Sequence, residues 1–132
     1  FEEFSLRYVE KIISKIDRKD EPVIFFAKGV HFGLEKMADI GANVLGLDWT
    51  MNLDEVRKKV GDKVALQGNM DPTVLYANKD YIREEVKNVL ASFGKGNGHI
   101  FNLGHGILPD IDPENVKTFV QYVKEESVFF HR

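Results

Sequence analysis

The 132-residue chain contains no cysteine. Disulfides and thiolate metal sites are therefore excluded, and the composition is compatible with a reducing, cytoplasmic setting. No apolar run approaches the roughly 18 residues that a membrane-spanning helix requires, and no signal peptide or lipidation motif is visible. Positive charge is not in excess either: 18 Lys and Arg stand against 21 Asp and Glu, for a net charge of −3. That balance supplies no electrostatic attraction to nucleic acid or to an anionic membrane, so neither is an expected partner. Familiar catalytic signatures are also missing. Phe26-Ala27-Lys28-Gly29-Val30-His31 has one glycine where a dinucleotide fingerprint needs three. There is no nucleophile elbow. His31, His99, His105 and His131 form neither a His-x3-His pair nor a Glu-x-x-His motif. An initiator methionine is absent as well, and Phe1 opens straight into an amphipathic pattern, which reads as a chain cut from something longer.

What is present is a regular alternation. With 43% hydrophobic residues the chain can build the core of one ordinary domain. Phe4, Tyr8, Ile12 and Ile16, with Val9 and Ile13 beside them, predict one apolar stripe on a leading helix from residue 3 to 17. The polar cluster 17–22 ends it as a solvated loop. Val23–Ala27 is a short apolar run without alternation, which predicts a strand buried on both faces. A helix from His31 to Ile40 follows, stopped by Gly41. Strands are then predicted over 43–48, 63–68 and 99–103. Between and after them, helices run from the Asn52 cap to Val60, from Lys79 to Phe93, and from the Asp112-Pro113 start to Glu126. The glycine-rich segment 94–98 resembles a phosphate loop only superficially, because a strand follows it where a helix is required. The terminal 128–132 segment is expected to dock its aromatics on the domain or on a neighbour.

A helix followed by four strand–helix units is the pattern of a parallel sheet with right-handed crossovers. Two architectures satisfy it, an open doubly wound sheet and half of an eight-stranded barrel. The missing dinucleotide fingerprint favours the half-barrel: one domain over residues 1–132, the C-terminal half of a (β/α)8 TIM barrel. In either architecture chemistry lies beyond the carboxyl ends of the strands. Those ends carry Lys28, Asp48-Trp49, Asn69-Met70-Asp71 and Gly104-His105-Gly106. Asp71 before Pro72 is explained as a helix cap. Lys28 is either a solvated surface residue or part of a cleft wall, and Asn69 is a cleft-lining candidate. Trp49 is a core residue or a site residue, and Asp48 is a loop-orienting acceptor or a site carboxylate. His105 has the weakest structural excuse, since two glycines give it no packing neighbours. A lone imidazole there suits binding of polar or anionic groups, or proton transfer near neutral pH.

Four stretches together resemble one family. They are Phe25-Phe26-Ala27-Lys28-Gly29, Gly46-Leu47-Asp48-Trp49-Thr50, Ala65-Leu66-Gln67-Gly68-Asn69-Met70-Asp71-Pro72 and Phe101-Asn102-Leu103-Gly104-His105-Gly106. In order and spacing they are similar to the C-terminal portion of the uroporphyrinogen decarboxylases. The resemblance implies a cytoplasmic homodimeric barrel enzyme, a carboxy-lyase of tetrapyrrole biosynthesis acting without metal or organic cofactor. Its substrate is uroporphyrinogen III, whose four acetate side chains lose carbon dioxide to give coproporphyrinogen III. Protonation of a pyrrole creates the cation from which carbon dioxide departs, so fixed charges in a dry cleft act on the transition state. His105 matches the family's substrate-contacting histidine. The family's catalytic aspartate, arginine cluster, tyrosine and hydroxyl residue belong to segments before Phe1, so the resemblance implies no catalytic residue in this stretch and no activity for it alone. Lys28, Asp48 and Asn69 remain as cleft-lining candidates. Two readings compete: a related cobalamin-independent methyl-transfer barrel, disfavoured by the lack of cysteine, and a non-catalytic half-barrel binding module.

Overall fold

Four short segments rich in β-branched and aromatic residues pair into one sheet. The computed structural model describes residues 1–131, so Arg132 of the terminal segment lies outside the described residues. The strands are β1 (Ile24–Phe26), β2 (Val44–Gly46), β3 (Ala65–Met70) and β4 (His99–Leu103). They lie in the order β1-β2-β3-β4 and every pair is parallel. The helices are α1 (Arg7–Lys15), α2 (Leu34–Ala38), α3 (Leu53–Val60), α4 (Lys79–Phe93) and α5 (Pro113–Ser127). A helix, or a turn and a helix, follows each strand, as half of an eight-stranded α/β barrel requires.

Capping residues set several of these boundaries. Asn52 Oδ1 accepts from the N–H of Asp54 at 2.9 Å, Asn78 Oδ1 from Tyr81 at 2.9 Å, and Asp112 Oδ1 from Glu114 at 2.9 Å. Each such cap is worth about 1 kcal/mol to its helix. Asp71 caps a 3-10 turn, Pro72–Tyr76, in the same way, which is the role its sequence context predicts.

Packing is one-sided. Leu45, Leu66 and the half-buried Phe25 join Leu34, Met37, Leu53, Val56 and Val60 in one cluster behind the sheet. Phe101, Leu103 and Met70 join Ile82, Val86, Leu90 and Phe119 in a second. The opposite face bears Ile24, Phe26, Gln67, Ile100 and Asn102 in matching register and is largely uncovered. Ile24 is 47% and Phe26 44% exposed, so β1 is buried on one face and not on both. The continuous apolar run is the signature of a strand with two covered faces, but only one layer of helices packs on this sheet.

Three further expectations are corrected. The leading helix is a π-helical segment, Glu2–Leu6, running into α1, and its stripe points outward, with Phe4 81%, Ile12 61% and the C-terminal Ile16 45% exposed, while Leu6 and Ile13 on the neighbouring flank are buried. The predicted 31–40 helix is a 3-10 turn, His31–Gly33, followed by the five residues of α2. Strand β3 runs two residues further than predicted, so that Asn69 and Met70 lie in the sheet. By contrast β4 and α4 have the predicted boundaries.

Candidate functional site

The carboxyl ends of the strands gather around one loop pair. Gly104 follows β4 and donates its N–H to Met70 O at 2.8 Å, extending the ladder by one residue. A side chain there is sterically forbidden: a Cβ would lie 2.3 Å from Trp49 N and 2.8 Å from Trp49 Cα. The glycine before His105 thus admits the Asp48-Trp49 backbone, not a ligand. Gly106 has open space where a Cβ would project.

This approach brings two rings together. Trp49 and His105 stack with centroids 5.7 Å apart and planes 14° from parallel. Lys28 extends from the end of β1 so that Nζ lies 4.7 Å from the centroid of the same indole. Three strand ends therefore converge on Trp49. His105, exposed, also forms the rim of a cleft of about 530 Å³ with Phe26, Gln67, Asn102 and Ile107 among its walls. The cleft opens on the uncovered face of the sheet, where the strand periodicity places Phe26, Gln67 and Asn102.

Asp48 and Asn69 lie beneath this surface and do not line it. Asp48 is 1% exposed. Its carboxylate accepts from Gly29 N–H at 2.8 Å, from Thr50 N–H at 2.9 Å, and from the Thr50 hydroxyl. Burial works to raise its pKa, but these hydrogen bonds, helped by nearby His31, hold the carboxyl below its ordinary value. Since the Thr50 hydroxyl gives its proton to Asp48, it faces His31 Nε2, 3.1 Å away, as an acceptor. Asn69 is 7% exposed, and its amide donates to Asp48 O at 2.9 Å and Met51 O at 2.6 Å. Of the two readings open for Asp48, the geometry is that of a loop-orienting acceptor: it ties the β1 loop to the β2 loop while Asn69 ties the β2 loop to β3.

Trp49 is the residue whose importance sequence reasoning understated. It is the protein's single tryptophan and stands at a strand end beside a carboxylate, where a ring with an apolar body and a polar N–H suits a half-buried wall. Its joint contact with Lys28 and His105 depends on the close approach at Gly104, which no spacing rule reveals. Among the described residues no group of three or more His, Asp or Glu converges as a metal site, and no helix is long and apolar enough to cross a membrane.

Comparison with known proteins gives this geometry a context. The sequence model of the family described as uroporphyrinogen decarboxylase (URO-D) matches residues 1–126. Uroporphyrinogen decarboxylases of Pseudomonas entomophila (strain L48) and Pseudomonas syringae pv. syringae (strain B728a) are each 54% identical to the chain, over 100% and 99% of it. In both cases the chain spans 38% of the relative's length. Among solved structures, a methyltransferase from Methanosarcina mazei superposes with a TM-score of 0.79 at 26% identity, over 95% of this chain and 36% of its own.

Proposed function

Because the chain belongs to the uroporphyrinogen decarboxylase family, we propose that it is the C-terminal half-barrel of a carboxy-lyase that converts uroporphyrinogen III to coproporphyrinogen III. The observation that carries this reading is the Gly104-His105-Gly106 loop, stacked on Trp49 at the carboxyl end of a parallel sheet and opening onto a cleft. In this reading residues 1–132 are one half of a single barrel domain, acting in the cytoplasm as part of a homodimer without metal or organic cofactor. The uncovered sheet face becomes the barrel interior, and the free edges of β1 and β4 pair with the strands of the other half.

His105 supplies a substrate contact. Its imidazole is kept in one plane by the indole beside it, and it presents a polar edge to a substrate dense in carboxylates. Asp48 and Asn69 serve by holding the loops that carry Lys28 and Trp49. The acid that protonates the pyrrole and the arginines that gather the carboxylates belong to the other half, so this stretch alone is inactive. The methyltransferase likeness favours the fold more than the chemistry, since the decarboxylase relatives have twice the identity over the whole chain.

The test is a graft. This chain, put in place of the matching region of the Pseudomonas entomophila enzyme, is expected to yield an active decarboxylase. His105→Ala in that graft is expected to lower kcat/KM about tenfold or more, as loss of a polar contact to a charged substrate does. Coproporphyrinogen formed by the 132-residue chain alone, or a graft indifferent to His105→Ala, would refute the assignment.

A further inference from the structure

Lys28 is an exposed cation without a counter-ion. Among the described residues no carboxylate lies within ion-pair distance of its Nζ, although 21 acidic residues are available in the chain. Asp48, whose carboxylate holds the adjoining Gly29, is turned inward, and its oxygens are occupied by Gly29 and Thr50. What Nζ does contact is the indole of Trp49, at 4.7 Å from the ring centroid. A cation over a tryptophan ring is attracted by the negative face of the indole. That attraction favours one side-chain direction, yet it leaves the donors of the ammonium free for an anion. The same ring stacks on His105, the rim of the cleft.

We propose that Lys28 is a carboxylate-binding residue of the site, aimed by Trp49, so that Lys28, Trp49 and His105 form one recognition unit drawn from the ends of β1, β2 and β4. The inference rests on the reading of the site as one for a polycarboxylate tetrapyrrole and adds a specific electrostatic partner to it. Lys28 stands two residues beyond Phe26, which lines the cleft wall. Lys28 itself is not a wall of the cleft; it joins the site through Trp49, which stacks on the cleft residue His105, so that its ammonium meets a peripheral carboxylate while the macrocycle occupies the cleft. Burying Nζ in an internal ion pair would have removed this capacity. The inward turn of Asp48 preserves it.

Calorimetric titration of the grafted enzyme with uroporphyrin I, the stable oxidised octacarboxylate, is expected to give an affinity that falls as salt rises. Lys28→Gln is expected to weaken binding about fivefold, the scale of one partly exposed charge pair, and Lys28→Arg to restore it. The exposed position of Lys28 leaves the fold undisturbed in both variants, which equal thermal midpoints and near-ultraviolet circular dichroism verify. Uroporphyrin binding that is absent, or equally tight in Lys28→Gln, overturns the inference. Failure of the parent reading shows elsewhere, as an inactive graft, so an active graft with Lys28-independent binding removes Lys28 alone.

Discussion

Strand β4 and the loop that follows it carry a histidine at each end, and the two have opposite lives. His99 opens the strand on its covered face. It stacks on Phe93 with centroids 4.5 Å apart, and its Nε2 donates to Gly68 O at 2.9 Å. Its Nδ1 is buried without a partner. His105 follows the strand, exposed and stacked on Trp49. Both rings lie against a larger aromatic, so stacking by itself does not mark a functional histidine. The difference lies in what each ring can still reach. His99 is enclosed by Phe93, Phe101 and His131 with Arg57 nearby, whereas His105 keeps an open edge toward a cleft.

The largest effect that would break this contrast lies at Gly104. Gly104→Ala forces a Cβ to within 2.3 Å of Trp49 N, a backbone atom that cannot swing aside. The loop pair must separate, and a loss of more than about 3 kcal/mol in unfolding free energy is expected from overpacking of this kind. Gly106→Ala is the matched control, since nothing lies within 4 Å of its projected Cβ. It should change stability by less than about 0.5 kcal/mol. Urea denaturation of both variants checks the pair, and equal midpoints would mean that the close approach at Gly104 is not what holds the site together.

Protonation sharpens the contrast from the other end. Burial pushes the His99 pKa below its ordinary 6.5, only partly opposed by the Gly68 hydrogen bond, with His131 and Arg57 adding to the fall. The folded state therefore takes up a proton at lower pH than the unfolded chain does. Stability from this group is complete above about pH 6.5 and declines as pH falls from there through the folded value. Asp48, also depressed, acts in a separate window below its ordinary 3.8. His99→Gln should flatten the decline between pH 6.5 and 5 at a cost of about 1–3 kcal/mol at pH 8, from lost stacking and an altered hydrogen bond. Thermal melts across that range decide it. An unchanged slope would move the titration to another group.

Much of this was legible in the residues because it is local. The parallel order followed from strand–helix alternation, and the starts of α3 and α5 followed from Asn52 and from Asp112-Pro113, whose side chains act within three residues of themselves. The position of His105 beyond β4 followed from a strand predicted over 99–103 meeting glycine. What was not legible is non-local. The outward stripe of α1 looks the same in sequence whether or not a neighbour covers it. The roles of Asp48 and Asn69 depend on hydrogen bonds across 19 and 21 residues. Phe93 and Phe101 decide that His99 is enclosed, and only the folded sheet brings Phe93 beside it.

The smallest expected effect is the one that discriminates best between the two histidines. His105→Ala removes an exposed ring that makes no hydrogen bond among the described residues, while Trp49 retains Lys28 as a neighbour. Its stability should change by less than about 0.5 kcal/mol, the usual range for exposed positions, so the thermal midpoint of the chain stays in place. The matching truncation His99→Ala opens a cavity beside Phe93 and leaves Gly68 O without its donor, a loss of about 2–4 kcal/mol. The two alanines, melted side by side, thus separate a ring that holds the fold from a ring that the fold holds out. A His105→Ala chain that melts as early as His99→Ala would make the Trp49 stack a structural contact, and the open edge of His105 would lose its meaning as a binding surface.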